Sequence, residues 1–521
     1  MKGSHPFSGS GGNAMSGKNT TLPLEIELKL LFPPEARPQL DRYIASLDTL
    51  GQSEKRHLVT TYYDTPDLAL SHAGLALRIR RSGHERIQTL KSSEQEKRLA
   101  SHRGEWEWPV KSDQPELTLL ADTPAAALTE ALDGNLAPVW ISDVHRTSHT
   151  IQHDDAAVEL AVDEGAVRAG DAQDTIREIE LELKAGPVTA LYGLALSLQN
   201  EIPLRIGTLT KAERGHYLQT GTPRSSEKVD IPKLTRKTTL AKGLKTLLGA
   251  GLNALIRNQP AAEAADAEGI HQMRVAIRQL RTILHLLNGY TDRHTLDLFQ
   301  SELGRIGREL GEARDWDVFC LETLPKAFET PDENDPIRML HDDAAEKRTN
   351  AHRQLRLELE KTALTTLVLS LTVWIENPAF AKDEALLTSP LSDIAPILLD
   401  RLAHKVMRRG RHIRELSAKE RHDLRKSLKK LRYGASYYAK LYPTQAVKTY
   451  MKHCKKLQLQ LGEINDAAVA ATLIGSLSEA HLNLAPAASA FSNWNDERLQ
   501  QALDSLPAAW KGFRNTKPFW H

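Results

Sequence analysis

Cysteine is scarce. The 521 residues hold two, Cys320 and Cys454, too few for a disulfide framework and in keeping with a reducing cytoplasm. Long apolar runs are missing as well, so no membrane-spanning helix is expected. The opening MKGSHPFSGSGGNAM has no apolar core of the secretory kind, and residues 1–14 read as an expression tag. Aromatic residues make up 5% of the chain, which disfavours a surface that stacks bases. Net charge is also close to absent, at +1.

That balance conceals an asymmetry. Residues 1–220 carry 23 Lys and Arg against 31 Asp and Glu, a net of −8, whereas residues 221–521 carry 45 against 36, a net of +9. An acidic half joined to a basic half implies different chemistry in each. The length asks for two or three domains.

The acidic half reads as short strands at 24–31, 58–63, 75–81, 85–92, 102–109, 144–152, 156–164 and 174–184, with helices at 34–47 and 189–200. Glu25-Ile-Glu-Leu-Lys29 shows the pattern. Side chains alternate along a strand, so Glu25, Glu27 and Lys29 share one face and Ile26 and Leu28 the other. A face of that kind meets either bulk water or a polar cavity. The pattern recurs in Arg78 and Arg80, in Lys91, in Arg103, Glu105 and Glu107, in Arg146, in Glu159 and Asp163, and in Glu178, Glu180, Glu182 and Lys184. One such strand is an ordinary solvated edge, but a succession of them points to a barrel with a polar interior. A barrel of about eight strands holds one small ligand. Carboxylates suit Mg²⁺ or Mn²⁺, and Arg and Lys suit phosphate oxygens.

Residues 221–232 read as a linker, and from 233 to 513 helical periodicity takes over. This half contains a repeat. His271-Gln-Met-Arg274-Val-Ala-Ile-Arg278-Gln-Leu-Arg281 returns as His422-Asp-Leu-Arg425-Lys-Ser-Leu-Lys429-Lys-Leu-Arg432, an offset of 151 residues. Leu310-Gly-Glu-Ala-Arg-Asp315 returns as Leu461-Gly-Glu-Ile-Asn-Asp466 at the same offset. In each copy the His and the cations fall in one stripe about 80° wide, with apolar residues in another. Lys426 lies beside the second stripe. Such a face fits a polyanion without bases better than nucleic acid. Asp315 and Asp466 read as helix caps or turn formers.

These motifs resemble two known domains. Residues 22–220 resemble the CYTH domain of the triphosphate tunnel metalloenzymes, through Glu25-x-Glu27-x-Lys29, Tyr63-Asp-Thr65, Gly74-x-x-Leu77-Arg-Ile-Arg80, Thr89-Leu-Lys91, Arg103-x-Glu105-x-Glu107, Asp163-Glu-Gly165, Glu180-x-Glu182 and Lys211-x-x-Arg214-Gly. Residues 233–513 resemble the CHAD domain through both repeated motifs. The resemblance implies an α+β protein: an eight-stranded antiparallel β tunnel followed by a duplicated all-α bundle. It implies hydrolysis of inorganic triphosphate with Mg²⁺ or Mn²⁺. It makes Glu25, Glu27, Glu180 and Glu182 the metal ligands. Lys29, Arg78, Arg80, Lys91, Arg103, Arg146, Lys211 and Arg214 become the triphosphate ligands. Glu25, Glu27, Lys29 and Lys91 would form the catalytic set, and Glu105, Glu107 and Asp163 would line the lumen. For the helical half it implies binding of inorganic polyphosphate through His271, Arg274, Arg278, Arg281, His422, Arg425, Lys426, Lys429 and Arg432, and a place beside polyphosphate granules. Hydrolysis of nucleoside or thiamine triphosphate, cyclisation of ATP, and polyphosphate binding without catalysis are the alternatives.

Overall fold

The computed structural model describes residues 24–47, 50–92, 99, 101–222, 225–328, 336–377, 384–481 and 484–521. The proposed tag at 1–14 lies outside them. The acidic half forms one closed sheet of β1 (Leu24–Leu31), β2 (Glu54–Asp64), β3 (Leu75–Ser82), β4 (Glu85–Ser92), β5 (Ser101–Pro109), β6 (Ala137–His153), β7 (Ala156–Ala169) and β8 (Ala172–Ala185), with a two-residue β9 (Arg205–Ile206) beside β1. Neighbours run β5-β4-β3-β2-β6-β7-β8-β1, and β5 pairs with β1 to close the ring. Strands β2 and β6 begin before the expected 58 and 144. They pair with each other from Glu54↔Ser148 to Asp64↔Ala137, so each extends the other's ladder beyond its apolar run.

Closure decides which face looks inward. Leu28, Leu30, Leu160, Val162, Ile179 and Leu181 are fully buried on the outer face. They pack under α1 (Arg37–Ala45) and α4 (Val188–Glu201). Each such side chain contributes about 1.5–3 kcal/mol, which forces the alternate, charged positions into the lumen. The register then sets Glu27 opposite Glu182 and Lys29 opposite Glu180. The remaining helices of this half are short turns α2 (Ala69–His72) and α3 (Thr129–Leu132) and the helix α5 (Lys211–Thr220). Asp64 organises the turn after β2. Its carboxylate accepts from Thr65 N, Leu70 N, Ser71 N and Ser71 Oγ, all at 2.7–3.0 Å.

The basic half is helical: α6 (Leu240–Glu263), α7 (Ala267–Leu286), α8 (Arg293–Val318), α9 (Leu324–Ala327), α10 (Pro336–Leu359), α11 (Ala363–Glu376), α12 (Glu384–Thr388), α13 (Leu391–Arg409), α14 (Ala418–Tyr438), α15 (Thr444–Ala480) and α16 (Ala485–Arg514). Helices α6, α7, α8 and α10 pack in succession, and α13 to α16 repeat the arrangement. The first repeated motif sits on α7 and α14, the second on α8 and α15. The units meet where α7 packs on α14, and Tyr437 Oη donates to Gln279 O at 3.3 Å. Asp315 and Asp466 lie inside α8 and α15, so they are neither caps nor turn formers. The helix continues past them because their carboxylates find partners on the preceding repeated helix. The stretch 221–232 lies outside helices and strands where it is described, but it is tied down: Glu227 N donates to Asn258 Oδ1 at 2.9 Å and Val229 N to Gln272 Oε1 at 3.2 Å. Among the described residues, no helix is long and apolar enough to cross a membrane.

Candidate active site

The barrel encloses a cavity of about 820 Å³. Glu25, Glu27, Lys29, Arg78, Arg80, Lys91, Glu105, Glu107, Arg146, Glu180, Glu182 and Lys211 all line it. Arg103 pairs with Glu25 in the sheet, but its side chain lies outside the described residues. Asp163 and Arg214 are absent from the lining and stand buried behind it.

One side of the lumen is a dense ion-pair cluster. Lys211, the first residue of α5, sends Nζ to Asp163 Oδ2 at 2.7 Å, Glu178 Oε1 at 2.6 Å and Glu180 Oε1 at 2.8 Å. Lys29 Nζ lies 3.2 Å from Glu178 and 3.1 Å from Glu27 and also bonds Glu180. Arg146 grips Asp163 through two hydrogen bonds of 2.6–2.7 Å and reaches Glu180. Arg214 closes the back through Thr175 O at 3.0 Å and Glu178 Oε2 at 3.4 Å. Burial opposes charge on Lys29, yet Glu178, Glu180 and Glu27 outweigh it and hold the ammonium well above the ordinary lysine range. Burial likewise opposes charge on Glu180, and Lys211, Lys29 and Arg146 hold it well below the carboxylate range. Among the described residues, Asp163, Glu178 and Glu180 are the one group of three carboxylates whose oxygens lie within 4.8 Å of one another. Four cationic side chains, Lys211, Lys29, Arg146 and Arg214, bond these three carboxylates. Glu178, fully buried, is the organising residue that the motifs pass over. Its signal was the run Glu178-x-Glu180-x-Glu182 on one strand face.

A second group of acids is less compensated. Glu25 meets Lys91 at 2.8 Å and Glu182 meets Lys184 at 2.7 Å. Burial raises the Glu182 carboxyl above its usual range, and Glu25 and Glu159 add to the rise while Lys184 opposes it. Carboxylate oxygens are the donor type that suits a hard divalent cation. Cations crowd elsewhere in the lumen. Arg80 is lowered to about 10, by burial and then by Arg78 and Arg146. Arg78 reaches Glu105 at 3.3 Å, and Lys91 reaches it at 3.1 Å. Helix α5 crosses this space against Trp140. A Cβ on Gly215 would come within 2.2 Å of the indole, which explains a glycine after Arg214.

The helical stripes converge on each other. Arg274 donates to Gly311 O at 2.8 Å and meets Asp315 at 3.4 Å, and Arg425 meets Asp466 at 3.5 Å. Lys429 is lowered to about 6, by burial first and then by Arg425, Arg278 and Arg274, so the four cations lie within electrostatic reach of one another. Other stripe residues have separate engagements. Arg281 Nε donates to Gln300 at 3.1 Å, His422 Nδ1 lies 2.9 Å from Asn465, and Arg432 lies over the Tyr433 ring at 5.1 Å. Burial, then Arg314, keeps His271 below the usual histidine range. Lys405 and Arg409 on α13 extend the basic surface beside Lys426 and Arg281, and burial with these neighbours lowers Lys430 to about 8. No motif marked Lys405 and Arg409, because they belong to neither repeated stripe.

A closed antiparallel barrel with a doubly charged lumen, followed by a duplicated bundle with converging basic helices, defines a tunnel protein with a basic helical partner. Residues 23–216 match the CYTH domain model and residues 246–475 the CHAD domain model. The chain thus carries a CYTH domain in its first half and a CHAD domain in its second. An inorganic triphosphatase from Haemophilus influenzae is 31% identical over 201 residues, 37% of this chain and 54% of that protein, so the match spans about half the length of the relative. Among solved structures, a CHAD domain from Ricinus communis is 23% identical with a TM-score of 0.49, covering 56% of this chain and 98% of its own. HpAC1 from Hippeastrum, an adenylyl cyclase candidate with a dominant triphosphatase activity, is 21% identical with a TM-score of 0.29, covering 38% of this chain and 96% of its own.

Proposed function

We propose that the tunnel hydrolyses inorganic triphosphate with Mg²⁺ or Mn²⁺ and that the helical domain binds inorganic polyphosphate. One observation carries the tunnel reading: a single cavity joins the carboxylates Glu25, Glu27 and Glu182 to the mutually repelling Arg78, Arg80 and Arg146. A short polyanion with its metal complements both at once.

In this reading Arg78, Arg80, Arg146 and Lys91 bind phosphate oxygens and orient the chain along the lumen. Arg80 gains most, because an anion relieves its repulsion by Arg78 and Arg146. Glu25, Glu27 and Glu182 would hold the metal, which when bound neutralises phosphate oxygens and acidifies water. Glu180 stays ionised beside Lys211, Lys29 and Arg146, so it fixes those cations in place instead of taking up a proton. Water attacks the terminal phosphorus in line, the bridging P–O bond breaks, and orthophosphate and pyrophosphate leave. Basic side chains stabilise the charge on the departing pyrophosphate.

For the helical domain, the support is the convergence of Arg274, Arg278, Arg425 and Lys429. Phosphate release from triphosphate, ATP and long polyphosphate, with and without Mg²⁺ or Mn²⁺, tests the tunnel. Metal-dependent turnover favouring triphosphate is expected. Its absence refutes the hydrolase, and preferred turnover of ATP moves the assignment to nucleotides.

A further inference from the structure

The two ends of the barrel are finished differently. At one rim the cavity is lined by charged side chains of the strands themselves: Glu54, Arg56, Glu85, Glu159 and Lys184. At the other, Trp140 and α5 lie across the lumen, and the lining continues into the helical domain through Asn253, Ile256 and Arg257 of α6. Polar contacts hold α6 there. Arg257 Nε donates to Glu227 Oε1 at 2.7 Å, and its Nη2 lies 3.7 Å from Glu213 on α5. Asn258 Nδ2 donates to Glu227 O at 3.0 Å, and Arg205 of β9 pairs with Glu263. Apolar contacts also join the two domains, where α11 packs against α4 on the outer face of the barrel. Leu369 of α11 is fully buried inside the core of the barrel domain, and Leu99 packs against both cores. Glu213 also completes the capping box of α5, so the residue that starts the helix bearing Lys211 is the residue Arg257 meets.

We propose that the helical domain completes the tunnel, with α6 as its inner end wall and Arg257 as a specificity-determining residue that limits the length of phosphate chain the lumen accepts. This rests on the tunnel being a triphosphate site. A chain that threaded through would have to displace α6 from α5 and break the hold of Glu213 and Glu227 on Arg257. A longer chain that stopped at the wall would leave its further phosphates at the open rim. There Arg56 already pairs with Glu54 and Lys184 with Glu159, so the rim offers those phosphates little net attraction. A blind tunnel therefore selects short chains by length, and it does so with residues of another domain.

The test uses the full chain. Phosphate release is measured from tripolyphosphate and from a chain of about ten phosphates, for the parent, Arg257→Ala and Asn253→Ala. The ratio of kcat/KM for the long chain over the short one should rise about tenfold in Arg257→Ala, and Asn253→Ala should move it in the same direction. A second measurement needs no turnover. In a Cys320→Ser background, Arg257→Cys is labelled with an anionic thiol reagent, and tripolyphosphate should slow labelling at least about fivefold by filling the cavity. A ratio unchanged within about twofold in both variants overturns the wall, and so does equal labelling with and without tripolyphosphate. Turnover with an unchanged ratio refutes the wall alone, while protection without turnover refutes the hydrolase alone.

Discussion

Replacing Lys429 by arginine isolates a single proton in the helical groove. Lys429 faces Arg425 on its own helix, Arg274 and Arg278 on α7 and Asp466 on α15, and burial with these arginines lowers it to about 6. At pH 8 such a lysine holds its proton about 1% of the time. Polyphosphate seated among the four cations favours the charged form and restores the ordinary lysine value near ~10.4, where the group is almost fully protonated at pH 8. Binding at pH 8 should then take up close to ~1 proton. The sign follows: a value low in the free protein and raised in the complex means uptake, so affinity falls about tenfold for each pH unit between about 7 and 9 and levels off below about 6. Arginine stays charged throughout, and the first copy of the repeat carries an arginine, Arg278, at the matching position. Lys429→Arg should remove this uptake and raise affinity at pH 8 by up to ~100-fold. Calorimetry in buffers of different ionisation enthalpy counts the protons, since the slope of binding enthalpy against buffer enthalpy is their number. A parental slope under ~0.2, or the same slope in the variant, refutes the reasoning.

Three further outcomes are expected. Glu25→Gln with Glu27→Gln should lower triphosphate hydrolysis by more than about 100-fold, since even outer partners of a metal site cost 10–100-fold, and a folded double variant at the parental rate returns these residues to a structural role. Glu178→Gln should destabilise the barrel by about 3–5 kcal/mol, because Lys211 at 2.6 Å and Lys29 at 3.2 Å keep their charge inside a buried cluster that loses one of its anions; an unchanged melting temperature contradicts this. Arg274→Ala with Arg425→Ala should weaken polyphosphate binding and flatten its dependence on log salt by about 2, on the analogy of counterion release from nucleic acid. A salt slope equal to the parent's places the polyanion elsewhere.

The barrel was legible because strands have a period of two. Ile26 and Leu28 alternating with Glu25, Glu27 and Lys29 leaves two arrangements, and repetition of the pattern along successive strands favours the closed one. Closure cannot be read from any single strand. It depends on β5 pairing with β1, where Leu24↔Gly104 and Glu27↔Ser101 join residues far apart in sequence. The candidate site was legible in part. Alternation places Lys29, Arg80 and Glu182 on one face, but it carries no information about depth along the barrel axis. Asp163 therefore reads as a lining residue and Arg214 as a triphosphate ligand although both stand behind the wall, and Glu178, one position further along the face of Glu180, went unassigned although both its oxygens hold cations.

The helical half shows why a repeat can say more than a pattern. Amphipathicity alone cannot distinguish a solvated basic helix from one that faces another. The 151-residue offset does, because two motifs repeated together imply two helices repeated together, α7 with α8 and α14 with α15. Asp315 and Asp466 then acquire a meaning that local rules miss. Aspartate is a poor residue within a helix, and local rules therefore send it to a cap or a turn. In the structure each carboxylate crosses to the preceding repeated helix, Asp315 to Arg274 at 3.4 Å and Asp466 to Arg425 at 3.5 Å. Pairing holds an arginine in place while the neighbouring Lys429 and Arg278 stay crowded, so the cluster keeps an excess of positive charge. The same acids limit the repulsion that four converging cations impose on the fold. A motif that joins Arg on one helix to Asp on the next is thus a unit of two helices, and its duplication builds the groove.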